Sequence, residues 1–399
     1  MSDGGSPSAR PLITIIAYSA ISQAALGLSY PGTPLYLLSE GLGEDRINAI
    51  LCSMAIASLL GQVIWGYLSD RMLSKLAYVE IGCAGSAIGF LVLASTHDVL
   101  AFALFYVLTS FVGSAAYPAA MALLADISPT QKRGRLMGIF WSAASVGWAI
   151  AVAFTGWIIE NLGGPYLFGS CALLHAASLL IVFLGFRGHG LQRGEPARIK
   201  GSRSFISTIS QLSRPFFVLF LCTLVFFVLD YAKNVYVPIF YAYEVGLHAT
   251  LATLLLSLTS WIEVPATILF GVLSDKIGRV KVVLTSYLLS ALFMVTNMWV
   301  GGIELAIVAM GIYGLLWGAF SGATSALASE LVAEENMGLA MGLFNSAASF
   351  GSILAPLIIG GLIYLSGYRS SFAAMAFLML LFSLFFFLGV KKPGSAGDA

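Results

Sequence analysis

Charge is scarce in this sequence. Only 10% of its 399 residues are charged, and acid and base balance to a net +1. Soluble domains carry about 25% charged residues, so a water-soluble globule is excluded. The near-neutral balance also offers nucleic acid nothing to bind. Cysteine is rare too. Cys52, Cys83, Cys171 and Cys222 each lie inside an apolar run, with no CxxC pair and a single histidine near any of them, His175 four residues after Cys171. That excludes a metal site or a disulfide framework and leaves buried free thiols. Enzyme motifs are missing: no P-loop, HExxH or GxSxG, and no soluble stretch long enough to hydrolyse nucleotide. The chain is expected to be no enzyme and to need no cofactor. Any work it does draws on a gradient, or is facilitation alone.

Hydrophobic residues are abundant, at 59%. Apolar runs of roughly 20 residues recur along the chain, the length a helix needs to cross a bilayer. The short alternating segments of a transmembrane barrel are absent. We expect an all-α membrane protein with twelve transmembrane helices, at about 12–38, 46–69, 76–96, 98–125, 135–160, 165–186, 215–243, 247–272, 280–299, 302–328, 338–365 and 369–390. The first run follows Arg10 and is too long for a signal-peptide core, so it reads as a retained helix. A polar, Arg-rich stretch between the sixth and seventh spans divides the chain into a six-helix bundle at 1–190, a linker at 191–214 and a second six-helix bundle at 215–399. Of the 20 Lys and Arg, all but Arg46, Arg369 and Lys233 fall in the tails or the even-numbered loops. The positive-inside rule then places both termini and the linker in the cytoplasm.

The two halves repeat each other. "GYLSDRMLSK" (66–75) returns as "GVLSDKIGRV" (271–280). Asp126 matches Glu330, Met137-Gly138 matches Met341-Gly342, and "SAASVG" (142–147) matches "SAASFG" (346–351), all 204 positions apart. Gln23, Pro31 and Tyr36 match Asp230, Pro238 and Tyr243 at an offset of 207. Two pseudo-symmetric bundles of one ancestral design follow, an arrangement common in secondary transporters.

In these features the sequence resembles the major facilitator superfamily across nearly its whole length. The family's GxLxDRxGRR signature between spans two and three is matched by Gly66, Leu68, Asp70 and Arg71, and again by Gly271, Leu273, Asp275, Lys276, Gly278 and Arg279. A companion segment carries Arg133 and Arg135. The resemblance implies a gate built from Gly66, Asp70, Arg71, Asp126, Arg133, Arg135, Gly271, Asp275, Arg279 and Glu330. The glycines would allow close helix approach, and Asp70 would pair with Arg133 or Arg135. The blander role, fixing topology and loop shape, suits Lys75 and Lys281. Departures exist: Thr109 stands where proton-coupled members often carry Arg, and Gly147 is followed by Trp148 instead of the Pro of the antiporter signature.

An ionisable residue within a span is a functional candidate. In span seven, Asp230, Lys233, Asn234 and Tyr241 share one helical face. Asp230, Lys233 and Glu263 are the proton-coupling candidates; an ion pair that merely holds span seven in register is the structural alternative. The family's cavity is lined by spans one, four, seven and ten, which makes Gln23, Tyr30, Tyr106, Tyr117, Asn234, Tyr241, Tyr313 and Trp317 the substrate-binding candidates. Glu80 reads as a snorkelling carboxylate and His175 as a core histidine. The expected function is secondary active transport of a small organic solute by alternating access, as proton-coupled efflux of an amphipathic or drug-like compound from a monomeric protein in the cell membrane. Uptake or exchange of a small organic anion or sugar is the alternative. A solute sensor that moves nothing represents another class.

Overall fold

The computed structural model describes residues 9–69, 74–129, 133–187, 212–332 and 337–390. Every element among them is helical, with no strand. Seven helices come first: α1 (Ala9–Ser39), α2 (Glu44–Ser69), α3 (Lys75–Ala94), α4 (Val99–Gly113), α5 (Ala116–Ile127), α6 (Arg133–Asn161) and α7 (Gly164–Phe186). Six follow: α8 (Arg214–Ile239), α9 (His248–Ile277), α10 (Arg279–Trp299), α11 (Ile303–Glu330), α12 (Met337–Ala355) and α13 (Gly361–Gly389). Two π-helical segments, Phe240–Glu244 and Pro356–Gly360, extend α8 and join α12 to α13.

The local reasons are conventional. Ser74, Asp98 and Ser213 cap α3, α4 and α8, each accepting a hydrogen bond from a backbone N–H in the first turn. Pro165 and Pro215 occupy first-turn positions, where no N–H is needed. Pro31 and Pro34 lie inside α1, and Pro238 inside α8 just before its π segment.

Among the described residues, eleven helices are long and apolar enough to span a membrane. α4 and α5 together make one of these, Val99–Ile127. The last, Ala340–Gly389, runs 50 residues, about 75 Å of helix at 1.5 Å per residue, more than twice a ~30 Å hydrocarbon core. It is broken at Gly367, whose φ of 77° and ψ of 172° are not helical. The sequence places a span boundary at that point.

The chain divides into two compact units, residues 1–198 with 249–257, and residues 199–248 with 258–399. The expected linker, 191–214, lies almost wholly outside the described residues. In the first unit α1 packs on α6 and α7, and α3 on α7, α4 and α5. Gly147 permits the α1–α6 approach: a Cβ there would lie 1.9 Å from the Ala20 carbonyl oxygen. Ile15, Tyr18, Tyr78, Cys83, Leu124 and Phe140 belong to the core between these helices. The opening turns of α9 also pack within this unit. Ser257 Oγ donates to the Ala149 carbonyl at 2.7 Å, and Gly156 N–H donates to Thr253 Oγ1 at 3.0 Å. Glu160 accepts from Ala249 N–H at 2.6 Å and from the Thr250 hydroxyl.

In the second unit α8 packs on α12 and α13, and α10 on α11 and α13. Phe226 stacks on Phe320 with centroids 3.6 Å apart, and Tyr287 and Trp317 surround them. The helix pairs that dominate each unit correspond under the sequence repeat.

Candidate functional site

Each unit carries a polar site of its own. In the second unit the centre is Asp230 on α8. Its Oδ1 accepts the Tyr313 hydroxyl from α11 and lies 3.8 Å from Lys233 Nζ. Its Oδ2 accepts from Asn234 Nδ2 at 3.3 Å, and the same amide donates to the Asp230 carbonyl at 3.0 Å. Lys233 lies with Nζ 4.3 Å from the Tyr313 ring centroid, a cation–π contact. The Lys233 side chain is only 7% exposed and that of Asp230 20%, so the pair works at low dielectric. Glu263 on α9 is close enough for its charge to act on Lys233. Tyr313 stacks on Trp317, with centroids 6.4 Å apart at 23°. The Asn234 Oδ1 is buried with no hydrogen-bond partner among the described residues.

This cluster brings together Asp230, Lys233, Asn234 and Tyr313, with Glu263 and Trp317 beside them. Tyr241 is elsewhere. Its hydroxyl donates to Asn297 Oδ1 on α10 at 2.8 Å, and the side chain is fully buried.

The site of the first unit is a cavity of ≈ 310 Å³. Gln23 and Tyr30 of α1, Tyr106 of α4 and Tyr117 of α5 all line it. So do Tyr18, Gln62, Phe90 and His175, which sequence reasoning left out of the site. No Asp, Glu, Lys or Arg is among the lining residues. The Tyr18 hydroxyl lies beside Ser22 and the Tyr117 hydroxyl beside Gln23. Both are buried and lack a well-formed hydrogen bond among the described residues, an arrangement that costs about 1–3 kcal/mol per group unless a water or solute fills it. Thr109, Ser110 and Ser114 donate to the carbonyls of Phe105, Tyr106 and Phe111 on their own chain segment. Ser19, from the same α1 stripe, is buried and donates to Phe140 O at 2.9 Å. His175 stacks flat on Phe90, 5.5 Å between centroids at 5°.

The gate candidates fare unequally. Asp70 and Arg71 lie outside the described residues, as do the side chains of Arg133 and Arg135. Asp126 accepts from Lys75 Nζ at 2.6 Å, and Glu330 pairs with Arg279 Nε at 3.1 Å. Lys75 and Arg279 are 204 positions apart, as are Asp126 and Glu330, so the same ion pair recurs once in each unit. Lys75, expected only to fix topology, is therefore the partner of a gate candidate. Asp275 is exposed. Among the described residues, a Cβ on Gly66 or Gly271 would meet nothing within 4 Å.

A helical, multi-pass membrane fold with an internal repeat and polar sites buried in each unit defines a class of solute carriers. Comparison with known proteins narrows it. The family model of the Major Facilitator Superfamily matches residues 15–240 and 219–399, and the chain belongs to that family. It is 25% identical over 395 residues to multidrug resistance protein MdtG of Enterobacter lignolyticus, covering 94% of this chain and 91% of the relative. It is 23% identical over 353 residues to the cis,cis-muconate transport protein of Acinetobacter baylyi, covering 84% and 85%. Among solved structures, the crystal structure of peptide transporter POT in complex with sulfate superposes with a TM-score of 0.81 at 15% identity, covering 97% of this chain and 95% of that one. At that identity the likeness establishes the fold alone.

Proposed function

We propose that this chain is a secondary active transporter that exports an amphipathic, drug-like compound by alternating access, coupled to protons, as a monomer in the cell membrane. It crosses the bilayer twelve times, as two six-helix bundles at 1–190 and 215–399 joined by 191–214, with both termini in the cytoplasm. The observation that carries the reading is the Asp230 cluster: a carboxylate held by a tyrosine hydroxyl and an asparagine amide beside a nearly buried lysine. An ionised Asp230 neutralises Lys233. A protonated Asp230 frees it and changes the charge of the site. Coupling then requires that the proton bind unequally to the inward-open and outward-open forms, since a ligand with equal affinity for both shifts neither. Glu263 is the second acid in reach of Lys233.

The drug-like substrate rests on the uncharged, aromatic lining of the first-unit cavity and on the multidrug resistance protein among the relatives. A second reading, uptake or exchange of an organic anion, is favoured by Lys233 as a counter-charge and by the muconate transport protein. Asp70, Arg133 and Arg135 belong to the proposed gate with Asp126, Arg279 and Glu330.

The test is flux into proteoliposomes with and without an imposed pH gradient, across cationic dyes, neutral drugs and dicarboxylates. Gradient-driven accumulation of a cationic or neutral amphiphile that vanishes in Asp230→Asn, with solute exchange retained, supports the reading. Accumulation that persists in that variant places the coupling elsewhere. Movement of dicarboxylates alone favours the second reading.

A further inference from the structure

Outside both sites, α3 and α7 enclose a groove of ≈ 550 Å³ on the membrane-facing side of the first unit. Its walls are Ile81, Ala84, Ala176, Leu179, Leu180 and Phe183, and its one charged group is Glu80. Leu180 and Phe183 are 56% and 54% exposed, so the groove opens sideways, toward acyl chains. Glu80 sits five residues into α3, about 7.5 Å from the helix start at 1.5 Å per residue. Glu80 is only partly buried there, within snorkelling reach of water, yet a carboxylate beside hydrocarbon still gains from a cationic partner.

Among the described residues no cation takes that role. Among the described residues Glu80 forms no ion pair, and Lys75, the cation at the start of the same helix, is engaged by Asp126 at 2.6 Å. Arg187, directly after α7 and four residues beyond Phe183, is exposed and likewise forms no ion pair among the described residues. The groove thus joins three complementary features at one membrane surface: an apolar trough for a chain, a carboxylate inside it, and a guanidinium past the end of one wall.

We propose that this groove is a binding site for an aminophospholipid with a primary ammonium head, such as phosphatidylethanolamine. The ammonium donates to Glu80, the phosphate meets Arg187, and an acyl chain fills the trough beside Phe183 and Leu180. A primary ammonium has three N–H donors for a carboxylate. A choline head has none, so the site discriminates between two lipids of identical net charge.

The test is native mass spectrometry of the purified full-length chain equilibrated with equal amounts of phosphatidylethanolamine, phosphatidylcholine and phosphatidylglycerol. Wild type should retain phosphatidylethanolamine over phosphatidylcholine by about fivefold, as one charge-assisted hydrogen bond at a half-wet site warrants. Glu80→Gln should bring that ratio to about one. Arg187→Ala should weaken retention of both lipids, and Ala84→Trp, which fills the trough, should abolish it. Equal retention of the two lipids by wild type, or an unchanged preference in Glu80→Gln, overturns the proposal. If Glu80→Gln does not fold, an unchanged preference in Ala84→Trp does so instead. Tetraphenylphosphonium is the competing probe: if it displaces the lipid in a Glu80-dependent way and is itself transported, the groove is a solute route and the lipid assignment is wrong. Flux without lipid preference would leave the transport reading standing while this one fails.

Discussion

Replacing Asp230 by asparagine keeps the volume and the Asn234 contact but removes the charge beside Lys233. With the lysine side chain 7% exposed, this leaves a nearly buried cation whose remaining neighbours are the Tyr313 ring at 4.3 Å and the charge of Glu263. Breaking a buried pair from one side costs about 3–5 kcal/mol, and those neighbours set the expectation at the low end, ~3 kcal/mol. Lys233→Met removes the other partner. Asp230 then keeps the Tyr313 and Asn234 donors and more water, so the loss is about 1.5 kcal/mol. Independent effects would sum to about 4.5 kcal/mol in the double variant; a true pair should leave it near 2, because no orphaned charge remains. The measurement is a double-mutant cycle of denaturant unfolding in mixed micelles. A sum that holds to within about 0.5 kcal/mol would refute the pairing and, with it, the charge switch.

Further expectations come from the other contacts. Tyr241→Phe breaks the 2.8 Å bond to Asn297 and orphans a buried amide oxygen, so it should destabilise by about 1–3 kcal/mol in the same unfolding assay. Tyr18→Phe and Tyr117→Phe remove hydroxyls that make no well-formed hydrogen bond among the described residues; they should leave unfolding within about 0.5 kcal/mol of wild type while weakening solute binding measured by calorimetry. Gly147→Val should lose folded yield in size-exclusion profiles, because its Cβ collides with the Ala20 carbonyl at 1.9 Å, whereas Gly138→Ala, with nothing within 4 Å, should not. Asp126→Asn opens a half-exposed pair with Lys75 and should cost no more than about 1 kcal/mol; a larger loss would mean that the pair does more than trim a surface.

Much of the architecture is legible because the bilayer demands it. Apolar runs long enough to cross it have few other destinations, and the helix ends at Ser39, Phe186 and Trp299 fall within a residue or so of the sequence expectation. The Asp230 cluster is also readable, since i, i+3 and i+4 place Asp230, Lys233 and Asn234 on one face. Tyr241 escapes that logic. It lies in the π segment Phe240–Glu244, where the extra residue rotates the register and turns the ring toward Asn297. His175 and Tyr18 escape for a different reason: each reaches the first-unit cavity only through packing of α1, α3 and α7, which no single helix records. The Lys75 pair is hidden by its alignment. The signature phrases match at an offset of 205, but Lys75 corresponds to Arg279 at 204.

The serines and threonine along α4 and at its end have a consequence for selectivity. Thr109, Ser110 and Ser114 each direct their single hydroxyl hydrogen into a backbone carbonyl, so only lone pairs remain to face the first-unit cavity. The Ser29 hydroxyl, on the opposite wall, is turned the same way, toward Leu26 O. What looks in a residue inventory like a wall of interchangeable donors and acceptors is, hydrogen by hydrogen, a wall biased toward acceptance. A carboxylate lodged against it would set lone pair against lone pair. An ammonium, an amide N–H or a chain of ordered water would bring the hydrogens that these four hydroxyls have committed to carbonyls, while the Tyr18 and Tyr117 hydroxyls remain as donors elsewhere in the cavity.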